Sequence, residues 1–377
     1  MPTSATQRDR VFAEVKRLCN AGLDETTLLP EVLECLRQAV PAEACCFSVT
    51  DPASGLMTRA FVEGMGGEKG AHVFFERVYL EEDVNGFHVM SSRWVDRPVA
   101  LLSEVTGGKL ERSLRYREHT GPLGLHYELR GACSVGKERW GGLDLTRERG
   151  RSDFDDREVA LLRGLTPHLG AALRAATLLS QASPEAQEDG VPGVLVLDHR
   201  RWSVSHYNAT AEYLLGELET LRPGWREGDL PVALTAVAGA VRKALKPETE
   251  RDRASVPRLC VKARSGRWLT LQGTLTEARP GHPNEMMIII EPARSIEVTW
   301  IKATAYGLSD REKEVVELVV RGATTKQIAA TLYISEYTVQ DHLSNIFDKI
   351  GVRGRKALVK RLFYDNLYPS LKPSKHR

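Results

Sequence analysis

Cysteine is scarce in this chain: 377 residues contain six, Cys19, Cys35, Cys45, Cys46, Cys133 and Cys260, with no CxxC pair and no metal-ligand spacing. That pattern argues against a disulfide framework and against a bound metal, and fits reduced thiols inside a cell. Long apolar runs are missing as well. No stretch approaches the roughly 18 residues a membrane-crossing helix requires, and the opening MPTSATQRDRVFAEVK has no apolar signal segment. A cytoplasmic protein with no membrane partner is the expectation. Walker A, GxSxG, HExxH and the nucleotide-binding glycine fingerprint are all absent, and the His residues do not pair with a nucleophile in any local motif. These absences argue against an enzyme and imply no cofactor, so binding is the function class that remains.

Net charge is also nearly absent, with 52 Lys and Arg against 50 Asp and Glu, but its distribution is uneven. Residues 301–377 hold 14 basic side chains against 8 acidic, whereas the first 300 hold 38 against 42. A cationic end can neutralise phosphates while an acidic remainder limits indiscriminate adhesion to nucleic acid. Within that end lies AATLYISEYTVQDHLSNIFDKI, Ala329 to Ile350, which reads as the turn and second helix of a helix-turn-helix. Val339, Leu343, Ile346 and Ile350 recur at helical spacing and define a core-facing stripe. Tyr337, Gln340, Asp341 and Ser344 fall outside that stripe, with groups able to meet base edges in a major groove. Lys326, Thr338, His342, Asn345, Lys349 and Arg353 lie on flanks and helix ends, where phosphates are expected. Ser309-Asp310-Arg311-Glu312 and Thr324-Thr325-Lys326-Gln327 are capping-box patterns that each open a helix, and Ser335 caps the reading helix. A last helix is expected over 355–363.

LSDREKEVVELVVRGATTKQIAATLYISEYTVQDHLSNIFDKIGV closely resembles the LuxR-type (GerE-like) DNA-binding domain, a four-helix module of transcription regulators. The resemblance implies double-stranded DNA as a partner, RNA polymerase as a candidate one, and the last helix as a contact between two protomers. Such domains often carry Lys after the Thr-Val of the reading helix. This chain has Gln340, so the target sequence does not transfer from relatives.

The front of the chain reads as mixed α/β. Helical spacing covers 8–20 and 26–39, and strand candidates follow at 45–49 and 57–62 across a Pro- and Gly-containing turn. Further strands are expected at 131–135 and 142–145. A long helix then opens at Ser152-Asp153-Phe154-Asp155 and runs to about Leu179, its apolar stripe a second candidate contact between protomers. The order resembles a GAF domain, with WGGLDLTRERGRSDFDDREVALLRGLTPHLGAALR its most typical piece. That resemblance implies a small-molecule pocket whose candidate lining is Tyr79, Phe87, Trp94, Tyr116 and Tyr127; the competing reading is that these aromatics fill core. Cys45, Cys46 and Cys133 are either oxidation sensors or small hydrophobes packed on strands.

The polar segment SQASPEAQEDG reads as a linker. After it, VPGVLVLDHRRWSVSHYNATAEYLLGE resembles the opening of a PAS domain, with a helix at 232–244 and strands at 258–263, 268–275 and 286–291 completing an antiparallel sheet. The expected organisation is multidomain α+β: a GAF-like sensor at 8–182, a PAS-like domain at 190–296, and an all-α four-helix helix-turn-helix domain at 303–368. Residues 301–377 are expected to fold alone.

Three functions compete on these readings. A homodimeric, ligand- or partner-regulated transcription factor fits every segment. A constitutive DNA-binding dimer, with the front domains serving only to dimerise, is the alternative. A phosphorylated response regulator would need a receiver's strand-end acidic cluster and phosphoacceptor Asp, and no such succession is present, since Asp155-Asp156 opens a helix instead.

Overall fold

The computed structural model describes residues 5–65, 84, 97–179, 191–198, 203–218, 230–244, 256–277 and 284–364. Two compact units form: one holds two antiparallel sheets, the other the helices from Ser295 onward.

In the first unit, α1 (Ala5–Asn20) and α2 (Glu25–Arg37) precede β1 (Ala44–Thr50) and β2 (Met57–Glu63). Asp24 starts α2 by accepting the N–H groups of Thr26 and Thr27 at 2.8 and 3.0 Å. Then come β3 (Val99–Leu101), the short α3 (Leu102–Thr106), a wide π-type turn at Tyr116–Thr120, β4 (Leu125–Val135), β5 (Glu138–Glu148) and α4 (Asp156–Leu178). The sheet order is β2-β1-β5-β4-β3. Asp155, not Ser152, is the cap of α4, in a full box with Glu158. Leu162, Leu165, Leu169 and Leu173 of α4 are buried, and Gly170 lies so close to β4 that an added Cβ would meet Ser134 N at 2.8 Å. That stripe is spent inside the protomer, which removes it as a contact between protomers.

β4 and β5 run longer than expected, 11 residues each. Their extra length carries charge. Arg115, Glu128, Arg130 and Asp144 are at most 2 % exposed, yet all are paired. Arg115 Nη2 donates to Glu128 Oε1 at 2.6 Å, Arg130 Nε lies 2.8 Å from the same oxygen, and Arg130 Nη2 donates to Asp144 Oδ2 at 2.8 Å. Arg130 and Asp144 are direct cross-strand partners, so the network sits on the face opposite α4.

β6 (Gly193–Asp198), β7 (Ser203–Tyr207), α5 (Ala209–Glu217), α6 (Val232–Ala244), β8 (Arg258–Lys262), β9 (Trp268–Leu275) and β10 (Met286–Pro292) form the second sheet, ordered β7-β6-β10-β9-β8, with its helices. Asn208 caps α5 with Oδ1 on Ala211 N–H at 2.8 Å, and the same oxygen accepts from Val194 N–H, tying the helix start to β6. The two sheets share one apolar cluster, in which Met57, Ala60 and Val62 of β2 join Val237, Val241 and Leu259. Arg59 Nη2 donates to Lys262 O at 3.2 Å and Asp51 Oδ2 accepts from Cys260 N–H at 3.3 Å across the same contact.

The second unit contains α7 (Ser295–Ala305), α8 (Asp310–Val320), α9 (Thr325–Leu332), α10 (Glu336–Ile350) and α11 (Arg355–Val359). Val315, Val316, Val319, Ile328, Val339, Leu343, Ile346 and Leu358 make its core. Helix α7 belongs to this core through Ala303, with Trp300 and Tyr306 packed on it, and Thr299 Oγ1 donates to Leu362 O at 3.1 Å. A piece beginning at residue 301 therefore starts inside a helix and lacks Trp300. The last helix also departs from expectation: α11 ends at Val359 and gives way to a π-type turn at Lys360–Tyr364. Its apolar residues Leu358 and Leu362 point into the unit's own core.

Candidate nucleic-acid interface

Three helix starts build this surface, each set by its own residues. Ser309 Oγ and Glu312 close the box that opens α8, Thr324 and Gln327 repeat it for α9, and Ser335 Oγ accepts the Thr338 N–H of α10 at 3.0 Å. Between α9 and α10 the chain reverses at Tyr333, whose φ of 55° is the only positive value at a non-glycine among the described residues. That left-handed cap costs about 1 kcal/mol relative to glycine. Tyr333 is 95 % exposed, and Tyr337, the second residue of α10, 76 %.

Val339, Leu343, Ile346 and Ile350 of α10 are buried. Tyr337, Gln340, Asp341, Ser344 and Asn345 are exposed, and Thr338 and His342 lie half-buried on the flanks. Every base-reading candidate thus stands on the solvent side of one helix. Gln340 is also held: its Nε2 donates to Thr325 Oγ1 at 3.3 Å, and Arg355 Nη2 donates to the same oxygen at 2.9 Å while its Nη1 donates to Ala323 O at 2.6 Å. Neither Thr325 nor Arg355 was marked by a sequence pattern as part of this surface, because their contact joins residues 30 apart.

The phosphate candidates separate into two kinds. Lys326 and Arg353 are exposed at helix edges. Lys349 is instead engaged, its ammonium 2.6 Å from Glu312 Oε2, and this pairing makes it a fastener between α8 and α10. Burial alone would raise the Glu312 carboxyl, but Lys349 and the Ser309 N–H and hydroxyl outweigh it and hold the group below its ordinary value. A depressed carboxylate contributes stability that is present above its unfolded pKa, about 4.3, and is lost as pH falls through the lower folded value. Acid titration of the unfolding midpoint should therefore show a loss below about pH 4 that shrinks in Lys349→Ala. At neutral pH that substitution should cost about 1 kcal/mol, whereas Lys326→Ala should leave stability unchanged and flatten the salt dependence of DNA affinity by about one unit of slope. The reverse pattern would return Lys349 to the phosphates.

Of the candidate ligand lining, Tyr79, Phe87 and Trp94 lie outside the described residues. Tyr116 and Tyr127 are brought together by a residue the sequence did not point to. His126 stands edge-on to both rings, with centroids 5.5 and 4.7 Å away, and Tyr116 Oη is 2.7 Å from His126 Nδ1. Burial, then the charge of Arg149, pushes His126 below its usual range. Either partner of that bond can be the donor, according to which ring nitrogen of His126 carries the proton. Tyr116 and His126 face a cleft of about 450 Å3, open to solvent, with Arg117 and Arg149 on its rim; Tyr127 is not among its walls. The cysteines take no part. All six are free thiols, and burial pushes Cys133 and Cys45 up and Cys19 up to about 11, which keeps them protonated and packed as small hydrophobes.

Among the described residues no helix is long and apolar enough to cross a membrane. Residues 307–362 match the family model for bacterial regulatory proteins of the luxR family. Spore germination protein GerE of Bacillus subtilis is 53% identical over 55 residues, 15% of this chain and 74% of that one. Response regulator protein TmoT of Ectopseudomonas mendocina is 30% identical over 170 residues, 45% of this chain and 66% of its own length. The chain therefore spans just under two thirds of TmoT. Two solved structures are distantly alike in fold. Escherichia coli SdiA is 11% identical, covering 95% of this chain and 97% of that one at a TM-score of 0.32. The GAF domain of a phosphoenolpyruvate-protein phosphotransferase from Coxiella burnetii is 17% identical, covering 46% and 96% at 0.31.

Proposed function

Because the chain belongs, through residues 307–362, to the LuxR family of bacterial regulatory proteins, we propose that it is a sequence-specific DNA-binding transcription regulator whose sheet-bearing unit senses a small molecule or a partner. The observation that carries this reading is α10: one buried stripe fixes the helix while a row of hydrogen-bonding side chains faces solvent. In this reading Tyr337, Gln340, Asp341 and Ser344 meet bases. Lys326, Thr338, His342, Asn345 and Arg353 meet phosphates, with the positive end of the α10 dipole aiding them. Lys349 is assigned to the fold.

One reading helix spans only a few base pairs, so the protein acts as a homodimer on paired half-sites about one helical turn apart. Cytoplasmic location and contact with RNA polymerase belong to the same proposal. The two five-stranded antiparallel sheets support the GAF-like and PAS-like readings of the chain before Ser295, and the cleft beside Tyr116 is the sensing site in the described part.

Selection of bound sequences from random DNA by the full-length protein, with and without cell metabolites, tests reader and sensor together. Enrichment of a two-fold symmetric site whose affinity changes with metabolites is expected; recovery of random sequence would reject the reader. Asp341 gives a sharper check. A carboxylate near phosphates is unfavourable unless a base donor offsets it, so Asp341→Asn should strengthen binding to random DNA and loosen the choice at one base pair by about 1–3 kcal/mol. An unchanged selected sequence would mean that Asp341 faces no base.

A further inference from the structure

Gln340 is not a free side chain on an open helix face. Thr325 Oγ1 accepts both from Gln340 Nε2 at 3.3 Å and from Arg355 Nη2 at 2.9 Å, which occupies its two lone pairs. Arg355 is itself anchored, with Nη1 on Ala323 O at 2.6 Å, so a chain of three donors runs from the start of α11 through the first residue of α9 to the outer face of α10. We propose that Arg355 and Thr325 are positioning residues that hold the Gln340 amide in the orientation that reads adenine.

The chemistry follows from counting donors. A glutamine amide has two N–H protons and one carbonyl oxygen. With one proton committed to Thr325, Gln340 keeps one donor beside one acceptor, the complement of adenine N7 and N6–H. Were the amide turned over, the Thr325 hydroxyl would donate to its carbonyl, and Gln340 would offer two donors, the complement of guanine N7 and O6. Arg355 fills one Thr325 lone pair in both, so it fixes the place of that hydroxyl and not the turn of the amide. The contact of Nε2 with that oxygen selects the adenine form. Fixing the amide before DNA arrives also lowers the rotamer entropy lost on binding, which sharpens the difference between bases.

This inference rests on the DNA-reading function proposed above, and its test separates the two. The full-length protein, as wild type, Thr325→Val, Thr325→Ser, Gln340→Ala and the Thr325→Val/Gln340→Ala pair, is used to select bound sequences and to measure relative affinity for all four bases at each position. The wild type should prefer adenine at one position of each half-site by about 5- to 150-fold. Thr325→Val keeps the shape at a position that is not the helix cap, since Thr324 is the cap. It should reduce that single preference about 2- to 10-fold, with affinity for random DNA unchanged, and Thr325→Ser should restore it. In the Gln340→Ala background, Thr325→Val should have no further effect at that base pair. A merely structural role for Thr325 would lower all affinities alike and would add to Gln340→Ala. The proposal fails if Thr325→Val retains the wild-type preference, if the two effects add, or if guanine is selected. A wild type that selects no sequence overturns the DNA-reading function and this inference with it.

Discussion

Glu128→Gln should lower the stability of the sheet-bearing unit by about 3–5 kcal/mol, the cost of leaving buried charge uncompensated. Arg115, Glu128, Arg130 and Asp144 are together neutral and nearly inaccessible to water. Glu128 is the member that both guanidinium groups share. The substitution hardly alters volume, so no cavity complicates the result, and it leaves two buried cations facing one carboxylate. Glu43, whose pairing with Arg151 is partly exposed, provides the control: Glu43→Gln should cost about 1 kcal/mol or less. Urea midpoints measured with an unchanged m-value would report both. A loss below about 1 kcal/mol for Glu128→Gln would mean that water reaches the network. The pairing also pins register, because Arg130 stands opposite Asp144, and a one-residue slip of either strand would put the two charges on opposite faces, one of them toward the apolar side under α4.

Ile346→Ala should remove about 2–5 kcal/mol from the helical unit. Ile346 is fully buried in a core that includes Val316, Ile328, Val339 and Leu358, so truncation both loses transfer energy and leaves a void. The unit from Ser295 to Tyr364 is small, and at roughly 0.1 kcal/mol per residue its whole stability is about 7 kcal/mol. A large share of that would go. Hydrogen exchange of the α8 and α10 amides should speed by at least about 30-fold, while specific DNA affinity should change little, because the roughly 2 kcal/mol or more that remains keeps nearly all of the unit folded. If exchange is unchanged, the side chain is not in the core.

Those two substitutions also mark where sequence was a good guide and where it was not. The helical unit was legible because its signals are local. Ser309, Thr324 and Ser335 declare helix starts within four residues of the groups they cap, and the α10 stripe repeats on one face. Elements of the second sheet were legible for the same reason, with Asn208 capping α5 as its position suggested. β4 was under-read at its start and β5 at both ends. Glu128, Arg130 and Asp144 look like solvent-facing charges in a row of letters, and only their pairing with one another and with Arg115 makes them core. The shared cluster between the two sheets was invisible too, because Val62 and Val237 meet through tertiary packing alone. At the candidate site, the exposed face of α10 could be read from spacing. The Arg355–Thr325–Gln340 chain could not, since it links three helices, and neither could His126 between Tyr116 and Tyr127, since a single His carries no pattern.

The strand orders have a consequence for how the protein is made. In both sheets the first strand lies next to the last, so β1 cannot find β5, nor β6 find β10, until the intervening chain has left the ribosome. Ser48 and Gly142, joined across that central seam, are 94 residues apart. At translation speeds of about 5–20 residues per second, β1 and β2 wait on the order of 5–20 seconds as a lone hairpin with an unpaired inner edge. That hairpin, ACCFSVT on one side, is β-branched and apolar enough to attract other chains. Yield of the nascent protein should therefore depend on chaperones that shield an open strand edge during synthesis of the first 148 residues. In the helical unit the corresponding link, Thr299 to Leu362, closes over 63 residues, so its interval is shorter.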